Sequence, residues 1–186
     1  MPNLDQLSKK FRERLTTLDG KHVFGQLLPV PENAGRGATT YFTPRRLLIC
    51  HPDAGIAVGQ VLTNSAGRKM LTAWGGADST PAGEYQNVYK LFDLDVQLAW
   101  SRTTTVTDPV TGLNRSNQKV SLGSIWATLE LVSQDLNSLT ALSRYRVLTG
   151  NHLLLNDRVQ LLDGSGKHYT VRRSETALGI YISEVA

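Results

Sequence analysis

Apolar and polar residues alternate along most of this chain or gather in short apolar runs, and each run is closed by Gly, Asn, Asp or Pro. That pattern predicts short β-strands joined by tight turns. The last third is the clearest. Residues 125–130, 144–147, 158–162 and 167–171 read as strands, and Asp163-Gly164-Ser165-Gly166 turns between the last two. Asp-Gly suits a hairpin because Gly, with no Cβ, accepts positive φ. Upstream, residues 22–28, 46–50, 56–62 and 69–74 also read as strands, the last two joined by the turn Asn64-Ser65-Ala66-Gly67. Residues 85–107 form a longer strand whose period of two puts Phe92, Leu94, Val96 and Leu98 on one face and Asp93, Asp95 and Gln97 on the other. A polar tip from Asp108 to Asn117 then leads back through Val120 to Trp126, which makes a long hairpin. The fold class expected is mainly β: a small antiparallel barrel with a long hairpin, preceded by further strands.

One stretch breaks the pattern. After Asn3, a residue suited to cap a helix, Leu4, Leu7, Phe11 and Leu15 recur at spacings of three and four, which predicts an N-terminal helix. Its apolar stripe either packs on its own subunit or docks on a neighbouring subunit or partner. A loop rich in Pro and Gly follows at residues 29–40, and the Gly-, Ser- and Pro-containing stretch at 75–83 reads as a linker. The expected organisation is a helical arm at 1–18, a β-rich extension at 19–83 and a barrel domain at 84–186. A shift of 99 residues sets Arg45 on Arg144, Leu62 on Leu161, Asn64 on Asp163, Gly67 on Gly166 and Arg68 on Lys167. Either a repeated unit or a shared hairpin grammar accounts for that faint match.

Composition narrows the class. The 186 residues suffice to bury a sizeable core, and no apolar run approaches the roughly 18 residues needed to cross a bilayer as a helix. The polar, acidic start is unlike an export signal. Cys50 is the single cysteine, so no internal disulfide forms and folding in a reducing cytosol is expected. The sequon at Asn114 would then go unused. Net charge is +4, with 11 Lys and Arg against 7 acids in residues 1–90 and 9 against 9 in the remainder. Nucleic acid is a permissible partner at this charge, yet basic residues never run longer than two.

Candidate enzyme chemistry is sparse, and the expectation is a non-enzyme without cofactor or metal. Asp93 and Asp95 share a strand face, as catalytic carboxylates would, but a polar strand face has that look anyway. Cys50 and His51 are adjacent, so in a strand their side chains point apart. His22, His51, His152 and His168 lack zinc spacing. The stretches around Lys69 and Lys167 imitate phosphate loops, but Met70 and His168 stand where Ser or Thr would hold magnesium. Trp74, Trp100 and Trp126 lie in strand-like runs and read as core.

The order of motifs from residue 88 to 186 resembles a known family. A threonine-rich strand is followed by Asp108-Pro109-Val110-Thr111-Gly112, Ile125-Trp126-Ala127-Thr128-Leu129, Ser143-Arg144-Tyr145-Arg146-Val147, Asn156-Asp157-Arg158-Val159, Asp163-Gly164 and Tyr169-Thr170-Val171. This is similar to the head-tail joining (head-closure, or stopper) proteins of tailed bacteriophages. Residues 1–87 have no counterpart in the minimal family, and the segment between Trp126 and Arg144 is short for it. The resemblance implies a barrel of the Src-homology-3 kind, assembled as a homo-oligomeric ring of about six or twelve copies in the virion neck. Its partners would be a portal or adaptor protein, a tail terminator or tail completion protein, and genomic DNA touched without sequence specificity. Assembly would take place in the host cytoplasm. Arg102, Arg115 and Lys119 are then the expected DNA-facing residues of a channel loop, and Leu4, Leu7, Phe11 and Leu15 the expected subunit or partner contacts. The alternatives are a small-barrel nucleic-acid-binding module, suggested by Lys167, Arg172 and Arg173, or another neck or tail ring protein such as a tail terminator.

Overall fold

The computed structural model describes residues 12–30, 42–79, 85–107, 109–112, 114–134, 143–177 and 179–186. Among them the chain is mainly β and forms two closed antiparallel barrels of six strands each. The first uses β1 (Arg12–Thr17), β2 (His22–Pro29), β3 (Arg46–Cys50), β4 (Val61–Thr63), β5 (Lys69–Ser79) and β6 (Tyr85–Leu94). Its strand order is β1-β2-β3-β6-β5-β4, and pairing of β1 with β4 closes the ring. The second uses β7 (Val96–Thr107), β8 (Asn114–Gln134), β9 (Ser143–Thr149), β10 (Arg158–Leu161), β11 (His168–Ala177) and β12 (Ile180–Val185). Its order is β7-β8-β9-β12-β11-β10, closed by β7 on β10.

Each barrel has its own apolar interior, filled by alternate residues of every strand, as the two-residue side-chain period dictates. Leu15, Val23, Leu48, Cys50, Leu62, Met70, Tyr89 and Leu91 fill the first. Leu98, Ile125, Ala127, Val147, Leu153, Val159, Val171 and Val185 fill the second.

Two expectations are corrected here. The helix expected over residues 3–15 is not what the described part of that stretch forms. Arg12–Thr17 is a strand, pairing with β2 on one side and β4 on the other, and Leu15 is fully buried in the first barrel. Its helical spacing competed with, and lost to, cross-strand partners that only the closed ring supplies. Leu4, Leu7 and Phe11 lie outside the described residues, as does nearly all of the expected loop at 29–40. The boundary also differs. The chain divides into one unit of residues up to Leu94 with Thr176–Ile180, and another of Asp95–Glu175 with Tyr181–Ala186. Gly75 and Gly76 belong to β5, which pairs with β6 from Lys69↔Leu94 to Ser79↔Tyr85. Residues 75–79 of the expected linker are therefore strand in the first barrel, and 80–83 lie outside the described residues. The long strand predicted over 85–107 is broken at Asp95, so Leu91 serves one core and Leu98 the other.

The two barrels follow one plan. Counted from their own first strands, both have the order 1-2-3-6-5-4. Registers agree as well: Leu15 faces Val23 as Leu98 faces Ile125, and Leu27 faces Leu48 as Leu129 faces Val147. The approach to the fourth strand repeats bond for bond. Gly59 N–H donates to Thr72 O and Thr72 N–H to Gln60 O, just as Asn156 N–H donates to Val171 O and Val171 N–H to Asp157 O. Gly59 and Asn156 share the left-handed conformation this requires, with φ of 80° and 68°. The 99-residue shift seen in the sequence thus holds for Arg45 and Arg144. It fails for Leu62, whose structural equivalent is Val159: the second turn closes between Leu161 and Lys167, two residues wider than the closure between Asn64 and Arg68.

Candidate functional site

The second barrel departs most from the first in its opening hairpin. Leu15 and Val23 face each other across 8 positions of sequence, whereas Leu98 and Ile125, their equivalents, are 27 apart, a difference of 19. The added residues lengthen both strands. β7 and β8 pair from Val96↔Ala127 to Thr107↔Asn114. β10 accompanies β7 only from Leu98 to Ser101, and β9 joins β8 only from Thr128 onward. Beyond Ser101 the hairpin is a two-stranded ribbon among the described residues, with Val110 near its tip 90% exposed. Register shifts between Trp100 and Ser101 and between Thr104 and Val106 mark two β-bulges, and such bulges bend and twist a ribbon. Gly123, opposite Trp100 at the first bulge, has φ 102°, which a Cβ would oppose.

An internal ion pair fixes the root of this arm. Asp157, in the loop before β10, is 1% exposed and accepts four hydrogen bonds. Arg102 grips it with both prongs, Nε to Oδ1 at 2.7 Å and Nη2 to Oδ2 at 2.9 Å. The Trp100 indole N–H donates to Oδ2 at 2.9 Å and the Leu154 main-chain N–H at 2.8 Å. The guanidinium carbon also lies 5.5 Å from the centre of the Trp100 ring. Burial by itself would push the Asp157 carboxyl up. Hydrogen bonds from Arg102, Leu154 and Trp100, together with the Arg102 charge, outweigh burial and hold it below the ordinary aspartate value. Gln60 occupies the equivalent place in the first barrel and makes only the local bond, accepting from Ala57 N–H at 3.1 Å. The charged clamp therefore accompanies the arm.

The expected DNA-facing residues separate on this geometry. Arg102 is committed to Asp157 at the root of the arm, so it does not stand at the tip as a free cation; a carboxylate within reach in the closed barrel takes its charge. Lys119 is exposed on β8 opposite Thr103. Arg115 pairs through its backbone with Val106, and its side chain lies outside the described residues. Asp157 was legible only as part of the Asn156-Asp157-Arg158-Val159 motif. Nothing local ties it to an arginine 55 residues earlier.

Elsewhere the polar groups have structural tasks. Asp93 is flanked by Arg45 at 3.9 Å and Arg68 at 3.6 Å, while Asp95 is exposed, so the two do not form a carboxylate pair. Cys50 is a buried core thiol, raised by burial, and His51 Nδ1 accepts the Asp53 N–H in a 3-10 turn over Pro52–Ala54. Among the described residues no three His, Cys, Asp or Glu side chains are grouped to hold a metal ion. Of the tryptophans expected in the core, Trp74 is 44% exposed and Trp126 lies on the strand face opposite Ile125 and Ala127. Trp100 packs against the interior of the second barrel, and Trp74 meets the buried Tyr89 of the first edge to face at 5.8 Å. No family model matches this chain, and no characterised protein or solved structure is significantly similar to it.

Proposed function

We propose that this chain is a structural neck component of a tailed-phage virion, forming a ring between the portal or adaptor and the tail, and that its long hairpin is the channel loop. The observation carrying this reading is that two barrels of one plan differ chiefly in the arm, which only the second extends and anchors through Asp157. A ribbon whose root is locked and whose body has no third strand is built to reach away from its barrel. On this reading each barrel is of the Src-homology-3-like kind, and closed barrels leave no sheet edge to polymerise out of control. Lys119 and Arg115 would meet phosphates without reading sequence, which suits a conduit through which DNA slides. The head side of the ring would meet the portal or adaptor and its other side the tail terminator or tail completion protein.

The test is the copy number of this chain in purified particles, by quantitative mass spectrometry referenced to the portal protein. About six or twelve copies are expected for a closed ring on the particle axis. Absence from the particle would refute the neck assignment.

A further inference from the structure

The outward face of the second barrel carries an arrangement that the arm does not explain. Val159, Val171, Val185 and Val147 point inward, so their neighbours Arg158, Thr170, Arg172, Glu184, Ala186, Arg144 and Arg146 stand on the outside. Pairing sets several of these in one row. Arg158 lies opposite Thr170, Thr170 and Ala186 exchange main-chain hydrogen bonds at 2.9 and 3.2 Å, and Ala186 continues the ladder that pairs Val185 with Tyr145, beside Arg144. Two small side chains thus form a floor with an arginine at each end, about 14 Å apart across three strand spacings. An open cleft of about 330 Å³ lies at the Ala186 end of this row, lined by Arg144, Arg172, Glu184, Val185 and Ala186, while Arg158 stands across Thr170 beyond that lining.

Charge on this face is unbalanced, although the second half of the chain is neutral in total. Glu184 is already paired with Arg146 at 3.7 Å, and Glu130 stands across from Arg146 on β8. Arg144, Arg158 and Arg172 are exposed and have no ion-pair partner among the described residues. Two guanidinium groups lining a shallow cleft, with Arg158 farther along the same outer face, make a site for anionic oxygens. The barrel is closed, so an acidic peptide finds no strand edge to extend. The nearest aromatic pair, Tyr145 and Tyr169, packs edge to face at 5.1 Å on the core side and offers no platform for bases.

We infer that the cleft between Arg144 and Arg172, with Arg158 on the same outer face, binds the phosphodiester backbone of nucleic acid, independently of base sequence. This site lies on β9 to β12, is built from residues other than Arg115 and Lys119 of the arm, and does not depend on the neck reading.

The experiment is fluorescence anisotropy of the full chain with a labelled mixed-sequence duplex across a salt series. About three phosphate contacts at this site contribute about −2.7 to the slope of log affinity against log salt, beside whatever the arm adds. Arg144→Gln with Arg172→Gln is expected to weaken binding about tenfold or more at low salt and to make the slope shallower by about two. Arg173→Gln, at a residue paired with Glu175 at 3.6 Å and outside the cleft, serves as the control and changes the slope by less than one unit. Arg144→Lys with Arg172→Lys keeps the charge and should keep the slope, which separates loss of the site from loss of the fold. A scrambled duplex should bind equally well. The proposal is overturned if the double Gln variant binds as the parent does, if the parent does not bind at low salt, or if polyglutamate displaces the duplex with the same dependence on the two arginines.

Discussion

A carboxylate 1% exposed persists in the second barrel because four donors converge on it, two of them from one guanidinium. Removing the carboxylate leaves the Trp100 and Leu154 N–H groups without their acceptor, while Arg102, 31% exposed, turns to water, which together costs about 1–3 kcal/mol. Asp157→Ala should therefore lower stability by that amount in urea denaturation, and a loss under about 1 kcal/mol would mean that water replaces the carboxylate. Linkage gives the sign with pH. The folded-state pKa lies below the unfolded value of about 3.9, so the contribution is complete above that value and is lost as pH falls through the folded pKa. The gap in stability between the parent and Asp157→Asn should thus be widest near neutrality and close under acid. Leu15 poses a different question at the same scale. Its full burial in the first barrel predicts that Leu15→Ala costs about 2–5 kcal/mol, whereas a residue reserved for a partner would cost the isolated chain about 0.5 kcal/mol or less.

β8 is the element that sets this chain apart. Its 21 residues would span about 70 Å if fully extended, far more than one barrel wall requires. One end is held by β9 and the other only by β7. An isolated two-stranded hairpin is marginal in water, so the ribbon beyond Ser101 draws its order from the anchored root. Since Thr103, Thr104, Lys119 and Val120 are outside the interior cluster of the second barrel, shortening the arm to a tight turn near Thr103 and Lys119 should change the stability of that barrel by no more than about 0.5 kcal/mol. Loss of cooperative unfolding in that variant would show the arm to be structural. On the proposed neck assignment, particles built with that variant are expected to lose DNA retention or passage.

At the level of the whole molecule, one six-strand plan is used twice and altered chiefly in one place. The repeat permits a prediction that neither barrel gives alone. Gly59 and Asn156 occupy the same left-handed position, and asparagine tolerates that conformation better than other side chains do. Gly59→Asn should accordingly stay within about 1 kcal/mol of the parent, while Gly59→Val should lose about 1–2 kcal/mol or more, read from thermal unfolding. Equal losses would mean that the two loops are not equivalent in energy.

Alternation of apolar and polar residues and the placement of Gly, Asn and Asp were enough to read β2, β3, β5 and the turns at Asn64 and Asp163, because strand period and turn chemistry are local properties. The long hairpin was legible for the same reason. Barrel closure was not, since it rests on pairings such as Thr17 with Leu62 and Val159 with Trp100, between residues far apart in sequence. That closure turned the helical spacing around Leu15 into a strand and moved β6 into the first barrel. It also brought Arg102 to Asp157 and gathered Arg144, Arg158 and Arg172 on one wall of a half-chain whose charges sum to zero. Local sequence determines which segments extend and where they turn; which side chains meet depends on the register of strands around a closed ring, and only the tertiary fold decides it.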